Sequence, residues 1–375
     1  MRRQAHDPSR PHRIPVAPGG GAVSPGRSRG PALLLALALA SPGPALAQAL
    51  ESVVLEGAHP SVHVPAGEAR VVAGNGSSVR VEVRLEGRDA DRLRLETLRL
   101  NGSDALVIRY PEGEDVVYPG VRGSTELRMD GEGLFSTQGR RGRGDRVRVR
   151  SRGDGVEAWA VVTVHVPAGM GGDVHVGLGT LTSRGVEGEL GLRLASGSLE
   201  AGGHRGGLDV NVGSGQVEAA DVQGGTISLT TGSGSVTARD LQGDQVRLQT
   251  GSGSVEVEAI TAGSVRIGTG SGGIGMEGVD SPEVHVRTGS GRVAGSLMQP
   301  PRELEVQTGS GAVRLDIPRD SGADLDIRTG SGGIEVELPV QIRSSGRSRL
   351  QGTVGDGSGS IRITTGSGGV RIGTR

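Results

Sequence analysis

VRLQTGSGSVEVE, spanning Val246–Glu258, is two short alternating strings hinged on Gly251-Ser-Gly253. In each string a branched aliphatic residue alternates with a charged or amide side chain, the period-2 signature of a strand buried on one face. The hinge recurs. Gly-Ser-Gly begins at Gly213, Gly232, Gly251, Gly270, Gly289, Gly309, Gly330, Gly357 and Gly366, at intervals of 19, 19, 19, 19, 20, 21, 27 and 9. Degenerate copies at Ala195-Ser-Gly197 and Gly177-Leu-Gly179 extend the series upstream.

Aligning the copies produces columns. Before the turn the inward pairs are Ile227/Leu229, Val246/Leu248, Val265/Ile267, Val284/Val286, Leu304/Val306 and Leu325/Ile327; after it, Val236/Ala238, Val255/Val257, Ile274/Met276, Val293/Gly295, Val313/Leu315 and Ile334/Val336. Each unit of about 19 residues supplies two strands and two turns, one flattened coil of a β-solenoid. Four aliphatics stabilise by ~1.5–3 kcal/mol each, less than the ~1–2 kcal/mol of backbone entropy for every residue ordered, so a coil folds only when stacked on others. A stack of antiparallel hairpins with Gly-Ser-Gly loops is the competing topology. Identity down every column favours parallel coils, in which equivalent positions meet. The fold class expected is therefore all-β, a repeat β-solenoid or β-roll over 167–375, with an insertion near 339–353 before two final overlapping coils. Residues 48–166, which hold all four aromatics (Tyr110, Tyr118, Phe135 and Trp159), alternate less regularly and are expected to begin and cap the stack.

The composition of the 375 residues agrees. There are 69 glycines, no cysteine and only four aromatics, and all 41 basic residues are arginine. The absence of cysteine excludes disulfides, thiolate metal sites and a cysteine nucleophile, and a net charge of -1 gives no whole-chain drive toward nucleic acid. Upstream, the apolar run Ala32–Ala40 follows Arg27 and Arg29 and precedes Ala45-Leu46-Ala47, the pattern of a secretory signal peptide over 1–47 cut between Ala47 and Gln48. The long polar stretch before it is explained if translation starts at Val23. Nine apolar residues are too few to span a bilayer, so the mature chain is expected to be exported, without a transmembrane segment, to the periplasm, cell surface or medium.

The string T-G-S-G-x-[VI], at Thr231, Thr250, Thr269, Thr288, Thr308, Thr329 and Thr365, resembles the bacterial "putative adhesin" family of exported β-strand-repeat proteins, a domain of unknown function. Val164-His-Val-Pro-Ala-Gly169 looks like the segment that leads into that family's repeats. The resemblance covers roughly Val53 to Arg375 and implies a β-solenoid-like fold, export and an envelope or surface role. It carries no catalytic residues.

Candidate chemistry is sparse. The Gly-Ser-Gly turns lack the helix and lysine of a phosphate loop, and no aspartate recurs as a calcium roll requires. The threonines before each turn are expected to form a buried hydroxyl ladder bonded to backbone, and Ser233, Ser252, Ser271, Ser290 and Ser310 a turn-stabilising ladder. Glu256, Glu258, Glu277, Asp316, Glu335 and Glu337 share one outward face, as a solvated sheet would present them. His59, His63, His165, His175, His204 and His285 are expected at scattered outward positions without metal-ligand clustering. Arg140, Arg141, Arg143, Arg146 and Arg148 open the one dense charge run, read either as a turn and charged edge strand or as an anionic-polymer patch. No catalytic residue, cofactor or metal is expected. The leading expectation is a non-enzymatic structural or adhesive envelope protein whose flat β-faces and open C-terminal coil contact an envelope protein or anionic surface polymer. An envelope-component-binding sensor or regulator is the alternative, and a polysaccharide-active enzyme comes third.

Overall fold

In a computed structural model of the chain, the structure describes residues 50–120, 124–130, 134–135 and 145–375. Apart from one 3-10 turn at Ala90–Arg92, its regular elements are strands.

The coils stack in parallel. Val217–Ser233, Val236–Ser252 and Val255–Ser271 each run through both strands of a coil without a break, and each pairs position for position with the next, as in Val217↔Val236↔Val255 and Thr231↔Thr250↔Thr269. The hairpin alternative is thereby excluded. The strand before each Gly-Ser-Gly turn lies in a front sheet and the strand after it in a back sheet. Their inward aliphatics form one core: Ile227, Leu229, Val236, Ala238, Val246, Leu248, Val255 and Val257 are all buried.

Glycine is required at the turn for two separate reasons. Gly215, Gly234 and Gly253, third in their triplets, have φ of +139, +143 and +145°, which L side chains rarely adopt. From Gly232 to Gly309 the first glycine of the triplet sits over the carbonyl of its predecessor: a Cβ on Gly251 would lie 2.5 Å from the Gly232 oxygen, and one on Gly270 2.5 Å from the Gly251 oxygen. The other corner has its own left-handed column, Gly185, Gly203, Asp221, Asp240, Ala259 and Gly278, with φ between +50 and +68°.

The threonine ladder is present. Thr231, Thr250, Thr269 and Thr288 are buried and donate through Oγ1 to the carbonyls of Gly215, Gly234, Gly253 and Gly272 in the preceding coil, at 3.1, 2.8, 2.9 and 3.0 Å. The serine ladder is corrected. Ser233, Ser252 and Ser271 stack through their backbones while their hydroxyls face solvent, because the turn directs alternate side chains outward.

The section before the Gly-Ser-Gly series contributes a coil of its own. Ser61–Gly74 pairs in parallel with Gly172–Arg184, Ser61 opposite Asp173 and Gly67 opposite Gly179. Antiparallel strands Arg94–Leu100 and Ser103–Arg109 extend the front sheet, and Glu51–Leu55 and Val79–Glu86 the back sheet. A separate small sheet joins Val116–Val117, Ser124–Met129, Asp145–Arg150 and Val156–Glu157.

At the far end, stacking order departs from chain order. Gly359–Thr365 pairs with Glu303–Thr308 on one side and Ala323–Thr329 on the other. Val370–Thr374 likewise lies between Val313–Ile317 and Ile334–Val336. The segment from Gly359 onward is thus a single coil held between two earlier ones, not the two final overlapping coils, or the open end, that the spacing predicts. The insertion forms a hairpin, Val340–Ser345 with Arg349–Val354, laid antiparallel on Ala323–Thr329. It covers the front strand of the outermost coil, while Ile334–Val336 pairs only toward the stack.

Candidate binding faces

Outward side chains of the repeat form two faces. On the back sheet Glu256, Glu258, Glu277, Asp316, Glu335 and Glu337 are exposed, as the alternation predicts. They mix with arginines: Arg239 meets Glu258 at 3.6 Å, and Arg371 meets Glu335 at 3.9 Å and Glu337 at 2.5 Å. A shallow groove of about 530 Å³ crosses this face beside Gly275, over which the Glu256 carboxylate folds. On the front sheet a second groove, of about 570 Å³, is centred on Gly268 and bordered by Thr230, Gln249, Arg266, His285 and Arg287. Both owe their concavity to a glycine in a column that elsewhere carries long side chains.

The arginine run divides. Arg140, Arg141 and Arg143, like the Ala47–Gln48 cleavage position, lie outside the described residues. Arg146 and Arg148 stand on the strand Asp145–Arg150 and both approach Glu126 on Ser124–Met129, at 3.9 and 3.6 Å, and Arg150 pairs with Asp115. The described part is an ion-paired cross-strand surface of the small sheet. Among the described residues no group of three or more His, Asp or Glu is arranged to hold a metal ion.

The histidines depart most from expectation. His63 and His175, placed outward by alternation, are register partners whose rings stack at 4.3 Å and 16°, and Phe135 meets both edge-on, at 6.0 and 6.4 Å. The small sheet has closed over them. Leu127 lies against the Gly177 turn so closely that a Cβ there would be 2.5 Å from its Cδ1. Ser61 Oγ lies 3.3 Å from His63 Nε2, while Nδ1 of both rings has no partner. Burial, opposed for His63 by the Asp130 charge, pulls its pKa down to about 4; burial, with His63 and Arg193 adding to it, pulls His175 to about 3. His204 is also corrected: it is 1% exposed and stands in an aliphatic column beside Val222, its Nε2 3.2 Å from the Gly207 carbonyl oxygen. Burial lowers its pKa as well. The sequence carries no specific signal for the stacked pair: Val-His-Val occurs at Val62, Val164, Val174 and Val284, and only the first and third copies meet in register.

The family model described as Toastrack DUF4097 matches residues 163–373. No curated protein matches the chain. Among solved structures, the crystal structure of a "putative cell adhesion protein" from Clostridium sporogenes is similar at 9% identity, covering 87% of this chain and 100% of its own, with a TM-score of 0.19. At that distance it supports no inference about the present molecule.

Proposed function

Starting from the fact that the chain belongs to the Toastrack DUF4097 family, we propose that it is an exported, non-enzymatic envelope protein that adheres to other envelope molecules through the outward faces of its stack. The observation that carries this reading is the make-up of those faces. Charged and amide side chains repeat coil after coil on a rigid parallel ladder, and the two grooves are shallow features centred on glycine. Such a surface suits many weak contacts along an extended partner better than the convergent groups of a catalytic cleft. Carboxylates that could serve glycoside hydrolysis are exposed and share their sheet with arginine partners.

Pull-down from envelope extracts with the purified chain tests the proposal. Broad retention of envelope polymer supports adhesion. Saturable capture of a single protein would favour the sensor reading, to which the buried histidine pair under the small sheet lends support as a condition-sensitive element. Polysaccharide turnover abolished by Glu256→Gln or Glu277→Gln would overturn both.

A further inference from the structure

Three neighbouring arginines on the front sheet lie together without the carboxylate partners that several other arginines of the stack have. Arg247 and Arg266 face each other in adjacent coils, and Arg287 stands one coil further in the next column, opposite Gly268. All three are exposed. Arg247 donates to Gln249 Oε1 at 3.0 Å and Arg266 to Ser264 Oγ at 3.0 Å, whereas Arg287 has no polar partner among the described residues. By contrast Arg193 pairs with Asp209 at 3.0 Å, Arg328 with Asp326 at 2.6 Å and Arg371 with Glu337 at 2.5 Å. Like charges opposite one another on neighbouring strands repel, at a strand spacing of ~4.8 Å, and among the described residues no carboxylate pairs with either Arg247 or Arg266.

Arg266 and Arg287 line the groove made by Gly268, and Arg247 stands just outside it, beside Arg266 in the adjacent coil. The groove's one carboxylate, Glu305, is already engaged, 3.4 Å from His285 Nδ1 and 2.6 Å from Gln307 Nε2. The remaining lining, including Thr230 and Gln249, offers hydroxyl and amide groups.

We propose that this groove binds a linear carboxylated polysaccharide of the uronate type, lying along the stack with its carboxylates on Arg247, Arg266 and Arg287. The inference rests on the adhesive reading above and names its partner. A guanidinium presents a planar fork of donors that matches a carboxylate. One sugar unit is about as long as the step between coils, so carboxylates spaced along the chain come within reach of arginines on different coils. Thr230, Gln249 and Gln307 suit a hydroxyl-rich backbone. Neutral glycans gain affinity chiefly from stacking on aromatic rings, which this face lacks, so charge sets the selectivity.

The test is titration calorimetry of the full chain with polygalacturonate, with dextran and inorganic polyphosphate as comparators. The chain is expected to bind polygalacturonate, more weakly as salt rises, and to ignore dextran. Combined Arg247→Gln, Arg266→Gln and Arg287→Gln should weaken binding about tenfold or more, with unchanged circular dichroism and melting temperature. The charge-matched back-sheet triple, Arg239→Gln, Arg314→Gln and Arg371→Gln, should leave it intact. Equal losses in the two triples, equal affinity for polyphosphate, or no binding would each overturn the groove assignment. Envelope retention in the pull-down that survives the front triple would remove the groove and leave the adhesive reading standing. Failure of the unaltered chain to retain any envelope material would remove the adhesive reading itself.

Discussion

Acidification should undock the small sheet from the stack through His63 and His175. Both rings have a pKa of 6.5 when exposed; folded, they sit at about 4 and about 3. A depressed histidine pKa means that the open state takes up protons which the closed state refuses. The closed state is therefore unaffected above about pH 6.5, loses stability as pH falls below that value, and has lost the whole contribution below about pH 3. At pH 5, 1.5 units under the ordinary value, each ring penalises closure by ~2 kcal/mol, or about 4 kcal/mol for the pair. That is comparable to the whole stability of a small packed unit resting on a few apolar contacts such as those of Leu127 and Phe135.

The molecule carries its own reporter. Trp159, the single tryptophan, has its ring 5.8 Å from that of Tyr118, beside the small sheet, and donates from Nε1 to Glu86 at 3.1 Å. Tryptophan emission followed from pH 7.5 to 4 should shift as Tyr118 leaves, while far-ultraviolet circular dichroism from the stack persists. Combined His63→Leu and His175→Leu replaces the rings with apolar side chains that cannot charge, and should move the midpoint down by a pH unit or more. His204 is common to both proteins and cancels from the comparison. Coincident emission curves for the two, or a parent protein whose emission is flat over the range, would refute the reasoning.

Three further outcomes concern the repeat. Gly251→Ala should cost about 1–3 kcal/mol, read as a lower denaturant midpoint, because its Cβ would lie 2.5 Å from the Gly232 oxygen and force the coils apart. Ala259→Gly should raise stability by about 0.5–1 kcal/mol, since Ala259 holds φ at +56° in a column that is glycine at Gly278 and Gly203; an unchanged melting temperature would contradict this. Thr250→Val should cost about 1–3 kcal/mol in chemical denaturation, as it keeps the side-chain shape but removes the 2.8 Å bond to the Gly234 carbonyl inside the buried corner. Thr237→Val, at a half-buried outward position, should be near neutral.

What could be read from the sequence followed from periodicity. Val246, Leu248, Val255 and Val257 declare their face by alternation alone, and Thr250, on the same face just before a sharp turn, could only reach backbone. Ser252 misled because proximity to a turn does not fix where a hydroxyl points; the corner geometry sends it to solvent. Alternation places His63 and His175 on the outward side of their sheet but does not say whether another layer covers that side. The small sheet over His63 and His175 comes from the irregular section, where no period announces it. Stacking order at the far end was illegible for a deeper reason. Thr308, Thr329 and Thr365 head coils with the same columns, so any of them could follow another in register, and repetition that specifies a coil so well says little about its neighbours. The interval of 27 followed by 9 was the only mark of the rearrangement.

That rearrangement changes how the array can grow. In a simple tandem stack, a duplicated repeat adds one storey to the open end and disturbs nothing below. Here Gly359–Thr374 works as a keystone, seated after the coils on both sides of it have been laid down in the chain. A chain without it has two parallel edges facing each other across a one-coil gap; a chain with an extra copy has two claimants for one berth. A repeat appended after Thr374 would start between two occupied neighbours, so the array lengthens readily only by duplication among the coils stacked in chain order.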